Sequence, residues 1–128
     1  MRAAALLLVC ALPARAEEGA PQFFIDQAAL LRVASHMAAQ CEDVQVDLEA
    51  DIDLRVMVYD LLDDEGWSID DPRLHSDAAL NAVLARSDAH YAALQIDTPL
   101  SPEQVCPIAR REASEGTTLG LLFRVDPE

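Results

Sequence analysis

Apolar residues recur at three- and four-residue steps through the first third of the chain: Leu30, Val33, Ala34, Met37 and Cys41. Such spacing lines one face of an α-helix, and Asp26 is placed to cap its start. The pattern predicts a helix from Asp26 to about Cys41, entered from a flexible lead-in over residues 17–25 that carries Glu, Gly and Pro. Beyond it, Val44, Val46 and Leu48 alternate as in a short strand, whereas Leu54, Val58, Leu61 and Leu62 step as on a helix. Nothing between Asp47 and Glu65 is Pro or Gly. The length of that stretch favours a helix from about Asp47 to Asp64, with Gly66 ending it in a left-handed conformation.

Ser68 followed by Asp71 resembles an acidic capping box, and Pro72 suits an early helical position. A short helix or turn over 69–75 then leads into a longer helix from Ser76 to Gln95, striped by Leu80, Val83, Leu84, Tyr91 and Leu94. Pro99 marks a connector. Ser101-Pro102-Glu103-Gln104 supplies an N-cap oxygen, a proline at the first helical position, an acid for the positive helix end and a Gln to close the box. That helix should run through Arg111 and Glu112 to about Glu115, with Gly116 stopping or bending it. Leu119 to Phe123 fits either a further helical turn or an edge strand. The fold class expected is all-α: one small four-helix bundle-like domain over residues 26–124, with no repeat and no low-complexity tract.

The N-terminus changes the picture. Met1-Arg2, an apolar run from Ala3 to Leu12, and Pro13-Ala14-Arg15-Ala16 read as a signal peptide over residues 1–16, cleaved after Ala16. The apolar run has about half the roughly 20 residues that a spanning helix needs, so no stable membrane anchor is expected after cleavage. Processing removes Arg2 and Arg15, takes the formal net charge from −14 to −16, and leaves seven Arg, no Lys and all 23 acids. A field of that sign opposes nucleic acid and anionic lipid, both of which reward basic patches. About 112 residues can build one core and not two.

Cys10 lies in the leader and follows Val9, where a lipidated cysteine wants a small residue. Cys41 and Cys106 remain, and an even pair in an exported chain predicts a disulfide. The rival readings are free buried thiols or a redox centre, and the chain has no Cys-x-x-Cys to favour the latter. In an up-down-up-down arrangement the end of the first helix and the start of the fourth lie at the same end.

Candidate chemistry is sparse. Setting Gly66 at the glycine of an EF-hand loop places Leu61 and Pro72 where oxygen ligands are required, so the acidic stretch Asp60–Asp71 fails that motif. His36, His75 and His90 are isolated, with no zinc spacing. No Gly-x-Ser-x-Gly and no glycine-rich phosphate loop occurs. No catalytic residue, metal or cofactor is therefore expected. The candidate interaction residues are Trp67, in the turn after Gly66, and Arg110 and Arg111, scarce cations on the last clear helix; their ordinary roles would be a hydrophobic latch and solvated ion pairs.

The order of these features resembles a family of short exported alphaproteobacterial proteins of unknown function. The resemblance covers about residues 24–123 and rests on Cys41 at the end of the first helix, Gly66-Trp67-Ser68, Cys106 followed by Arg110-Arg111-Glu112, and Leu119-Gly120-Leu121-Leu122. That family usually carries basic residues before its first cysteine, where this chain has Met37-Ala38-Ala39-Gln40. The resemblance implies a helical fold and a periplasmic address, and no activity. The expected function is a binding or interaction module in the periplasm, with an unidentified protein partner. An acid- or stress-responsive chaperone is the alternative, since protonating the acids near pH 4 would remove charge repulsion. A hydrolase is the least consistent reading, because no catalytic constellation is visible.

Overall fold

The structure is a computed structural model and describes residues 19–127; the leader, its cleavage site and Cys10 lie outside them. Four helices carry most of this span: α1 (Gln22–Ala38), α2 (Leu48–Asp64), α3 (Asp77–Ala93) and α4 (Pro102–Glu115). Two three-residue strands, β1 (Val44–Val46) and β2 (Phe123–Val125), pair antiparallel with Val44 opposite Val125 and Val46 opposite Phe123. The chain is thus mostly helical, as its periodicity predicts, with a small sheet that an all-α reading omits. Both alternatives for the Leu119–Phe123 stretch are realised in succession: a 3₁₀ turn over Gly120–Leu122 runs directly into β2.

α1 is the hub and touches the other three helices. Its predicted stripe is buried, with Val33, Ala34 and Met37 fully enclosed. The helix starts four residues before Asp26, so the flexible lead-in expected over 17–25 ends at Pro21. No side chain caps this start. Burying Ile25 and half-burying Phe23 and Phe24 favours the earlier start, and Asp26 is engaged elsewhere, accepting from Gln22 Nε2 at 2.8 Å.

α2 begins where predicted. The Asp47 carboxylate accepts the Ala50 N–H at 3.0 Å, and Gly66 closes the helix at φ 80°. The Trp67 N–H reaches Leu62 O and the Gly66 N–H reaches Asp63 O, a Schellman closure that lays Trp67 over the last turn. α3 starts on the Ser76 hydroxyl, which accepts from the Ala79 N–H at 3.1 Å. Of its predicted stripe Tyr91 is buried and Val83, Leu84 and Leu94 are half-buried, but the buried face is completed by Ala79 and Ser87, and Leu80 is left 52% exposed. Small side chains let α3 lie close along α1, and the Ser87 hydroxyl is satisfied by Val83 O at 2.8 Å. α4 has Pro102 in its first turn as expected, but Ser101 makes no side-chain cap bond, and Gln104 reaches back to Gln95 O instead of closing a box.

The main core joins α1, β1, α3, α4 and the Leu119–Phe123 stretch. A smaller cluster of Val58, Leu62 and Leu74 packs with Phe23, Phe24 and Trp67. The bridge predicted between Cys41 and Cys106 is formed, with Cα atoms 5.6 Å apart.

The chain returns from α4 to the sheet through one tight approach. A Cβ added to Gly120 would sit 1.8 Å from the Glu112 carbonyl oxygen and 2.8 Å from the Ala113 nitrogen, helix backbone that cannot swing aside as a side chain would. Gly120→Ala should therefore lower unfolding free energy by about 3 kcal/mol, measured as a urea midpoint at unchanged slope. Gly19→Ala, which meets nothing within 4 Å, should leave the midpoint in place.

Candidate functional site

The residues singled out in the sequence do not converge. Trp67 packs near the first turn of α1, against the cluster containing Phe23 and Phe24. Arg110 lies beyond the other end of that helix, which is about 25 Å long at 1.5 Å per residue. There it grips Asp43 through two bonds of 2.7 and 3.0 Å. Trp67 is half-buried, and the Arg73 guanidinium stacks 4.3 Å from its ring centroid. Arg111 is 53% exposed and stands 3.7 Å from Glu112, a geometry worth little in water. Trp67 is thus a latch with a cation over it, and Arg110 is a tie between α4 and the segment entering β1.

Two surfaces that sequence periodicity missed carry more. The first is the outer side of α2. Only Val58 and Leu62 of this helix are buried, while Leu48, Ile52, Val56 and Tyr59 are 71, 57, 51 and 47% exposed. Their steps of four, four and three place them on one stripe, and Glu49, Asp53 and Asp60 run along one border of it. The pattern Leu-x₃-Ile-x₃-Val-x₂-Tyr was legible, but the sequence also offered the stripe of Leu54, Val58, Leu61 and Leu62, and only packing decides which one faces inward; Leu61, expected inside, is 40% exposed.

The second surface is an open groove of about 470 Å³ between α1, α2 and the turn after α2. Phe24, Leu31, Val58 and Ile69 form its apolar part, and the guanidinium groups of Arg32 and Arg55 with the imidazoles of His36 and His75 its polar part. Its residues come from three elements, and only the Arg32–His36 spacing of four hinted at it. Arg55 is held by Asp51 of its own helix at 3.1 Å. The His75 Nε2 is 2.8 Å from Ile69 O. Gln27 also lines the groove, and its Oε1 is buried without a hydrogen-bond partner.

A second concavity, of about 410 Å³, has Asp26, Arg86, His90, Glu112 and Thr117 in its lining. Asp26 and Arg86 pair at 3.2 Å and join α1 to α3. Burial lowers the His90 pKa, Arg86 lowers it further, and Asp26 opposes both. Glu112 is buried and accepts the Thr117 hydroxyl, which in turn accepts the Gly120 N–H at 3.0 Å. That chain of bonds secures the turn at Gly120, so its carboxylate is occupied by the fold.

Among the described residues, no three His, Cys, Asp or Glu side chains gather as a metal site, and no helix is long and apolar enough to cross a membrane. No family model, curated protein or solved structure matches the chain.

The turn beneath Trp67 has a defined pH response. Hydrogen bonds from the Arg73 side chain and backbone pull the Asp71 carboxyl down to about 2. The unfolded value is near 3.9, so the stabilisation is fully present above about pH 4 and is lost as pH falls through about 2. Asp71→Asn keeps a capping side chain and removes the charge. It should lower the denaturation midpoint near pH 6, with the difference shrinking below about pH 4 and vanishing only once the pH is below about 2. A difference independent of pH would assign the effect to shape rather than charge.

Proposed function

We propose that the protein is an exported binding module without catalysis of its own, and that it docks a basic amphipathic helix of a partner protein on the outer side of α2. The observation that carries this reading is the exposed stripe of Leu48, Ile52, Val56 and Tyr59. An unpartnered apolar helix face of four large side chains is what helix-in-groove and helix-on-helix recognition uses. Charge selects the occupant. Glu49, Asp53 and Asp60 border the stripe, so a partner with Lys or Arg beside its apolar seam gains attraction. A second copy would bring like charges together instead.

Export fits the same reading. The leader over residues 1–16 and the Cys41–Cys106 bridge are compatible with an oxidising compartment such as the periplasm. The bundle-like packing of α1, α3 and α4 around one core gives α2 a rigid base on which to present its free side.

A synthetic amphipathic Leu/Lys helical peptide, titrated by calorimetry against the disulfide-bonded chain from Glu17 onward, tests the proposal. The expected result is saturable one-to-one binding that is weakened about tenfold or more by Ile52→Ser with Val56→Ser, since two apolar anchors are lost. Both positions are exposed, so the fold should be unchanged. Equal binding of a scrambled peptide of the same charge, or an unchanged affinity in the double variant, would overturn the reading. A dimer mass in solution that reverts to monomer in the variant would assign the stripe to self-association.

A further inference from the structure

In a chain this acidic, each arginine is expected to find a carboxylate. Most do: Arg55 pairs with Asp51, Arg73 with Asp71, Arg86 with Asp26, Arg110 with Asp43 and Arg111 with Glu112. Arg124 donates to Gln45 Oε1. Arg32 stands apart. It is half-buried on α1, and among the described residues it has neither an ion pair nor a hydrogen bond through its side chain. Its place is the wall of the groove between α1, α2 and the following turn, where the lining contains no Asp or Glu among the described residues.

We propose that this groove binds an amphipathic carboxylate, an organic acid with a hydrocarbon body. Three features select that chemistry. The guanidinium of Arg32 presents a planar fork of donors that matches a carboxylate and binds it through paired hydrogen bonds. Arg55, held by Asp51 of its own helix, and the imidazoles of His36 and His75 add polar nitrogen groups on the same walls. Phe24, Leu31, Val58 and Ile69 offer an apolar bed for the body of the ligand, and the volume of about 470 Å³ lies in the roughly 300–1,000 Å³ range of small-molecule sites. The field of the remaining protein is negative, so a bare anion gains little from approach. The hydrocarbon must supply the affinity and Arg32 the selection, which excludes short acids. This inference stands apart from peptide docking, because it uses the inner edge of α2 and shares only Tyr59 with the outer stripe.

Decanoate is the probe. Titrated into methyl-labelled, disulfide-bonded chain from Glu17 onward, it should saturably shift the methyl signals of Leu31, Val58 and Ile69. Arg32→Gln should weaken it by about tenfold or more at an unchanged melting temperature, as loss of a charge-assisted pair predicts. Ile69→Ser, at a position 42% exposed, cannot disturb the core and should weaken binding several-fold. It carries the test should the Arg32 variant not fold. Decyltrimethylammonium and acetate should each fail to saturate in the range where decanoate does. Equal binding of the cationic amphiphile, equal binding of acetate, wild-type affinity in both variants, or shifts confined to Leu48, Ile52 and Val56 would each overturn the proposal. The last outcome would leave peptide docking intact, and failure of the peptide titration would leave the groove intact.

Discussion

The fold depends on how the end of α1 is fastened to α4. Cys106 and Arg110 lie one turn apart on α4, and both reach the segment after α1: the sulfur bonds to Cys41 and the guanidinium takes Asp43. Asp43 also accepts the Asp126 N–H through its carbonyl at 2.9 Å. One short segment is thereby held covalently, by charge and by backbone hydrogen bonding, to both the helix and the strand that end the described chain. β1 and β2 are only three residues each, too short to pair on their own. Their pairing follows from the anchor, and so does the burial of Val44 and Phe123 in the main core.

The anchor also explains why α2 can afford so little burial. α2 leaves the fastened segment at Asp47, whose N–H is held by Leu122 O at 2.8 Å. Its far end is closed by Gly66 and latched by Trp67 beneath Arg73. With both ends fixed, two buried side chains suffice to seat the helix, and its remaining apolar residues are free to face outward. The surface stripe and the groove beside it are two sides of that one loosely covered helix, with Tyr59 lining one and standing on the other.

Local signals in the sequence located the elements well where one residue settles the matter. Gly66 ends α2, Ser76 starts α3, Pro102 opens α4, and the Leu30–Met37 stripe marks the buried side of α1. The misreadings share a cause. Asp26 looked like a cap because capping chemistry is local, yet Arg86 and Gln22 compete for it. Leu80 looked buried because Leu is apolar, yet α1 approaches α3 along Ala79 and Ser87. The alternation at Val44 and Val46 and the apolar run ending at Phe123 each hinted at a strand, but the β1–β2 pair joins residues about eighty positions apart, and three-residue strands carry no signal of their partner. Gly120 is required by the Glu112 carbonyl, which no local pattern reveals. The groove was the least legible feature, since only packing shows that, among the described residues, no Asp or Glu lines the groove beside Arg32.

The most direct test of the anchor is denaturant unfolding of Cys41→Ser, Cys106→Ser and the double variant. The bridge spans a separation of 65 residues, for which loss of the cross-link releases unfolded-chain entropy worth on the order of 4 kcal/mol. Each single variant should lose a similar large amount of stability, and the double variant should be no worse than either, because the two side chains act as one bond. Losses that add across the double variant, or single variants as stable as the parent chain, would contradict the account and return the fastening of α1 to α4 to ordinary packing.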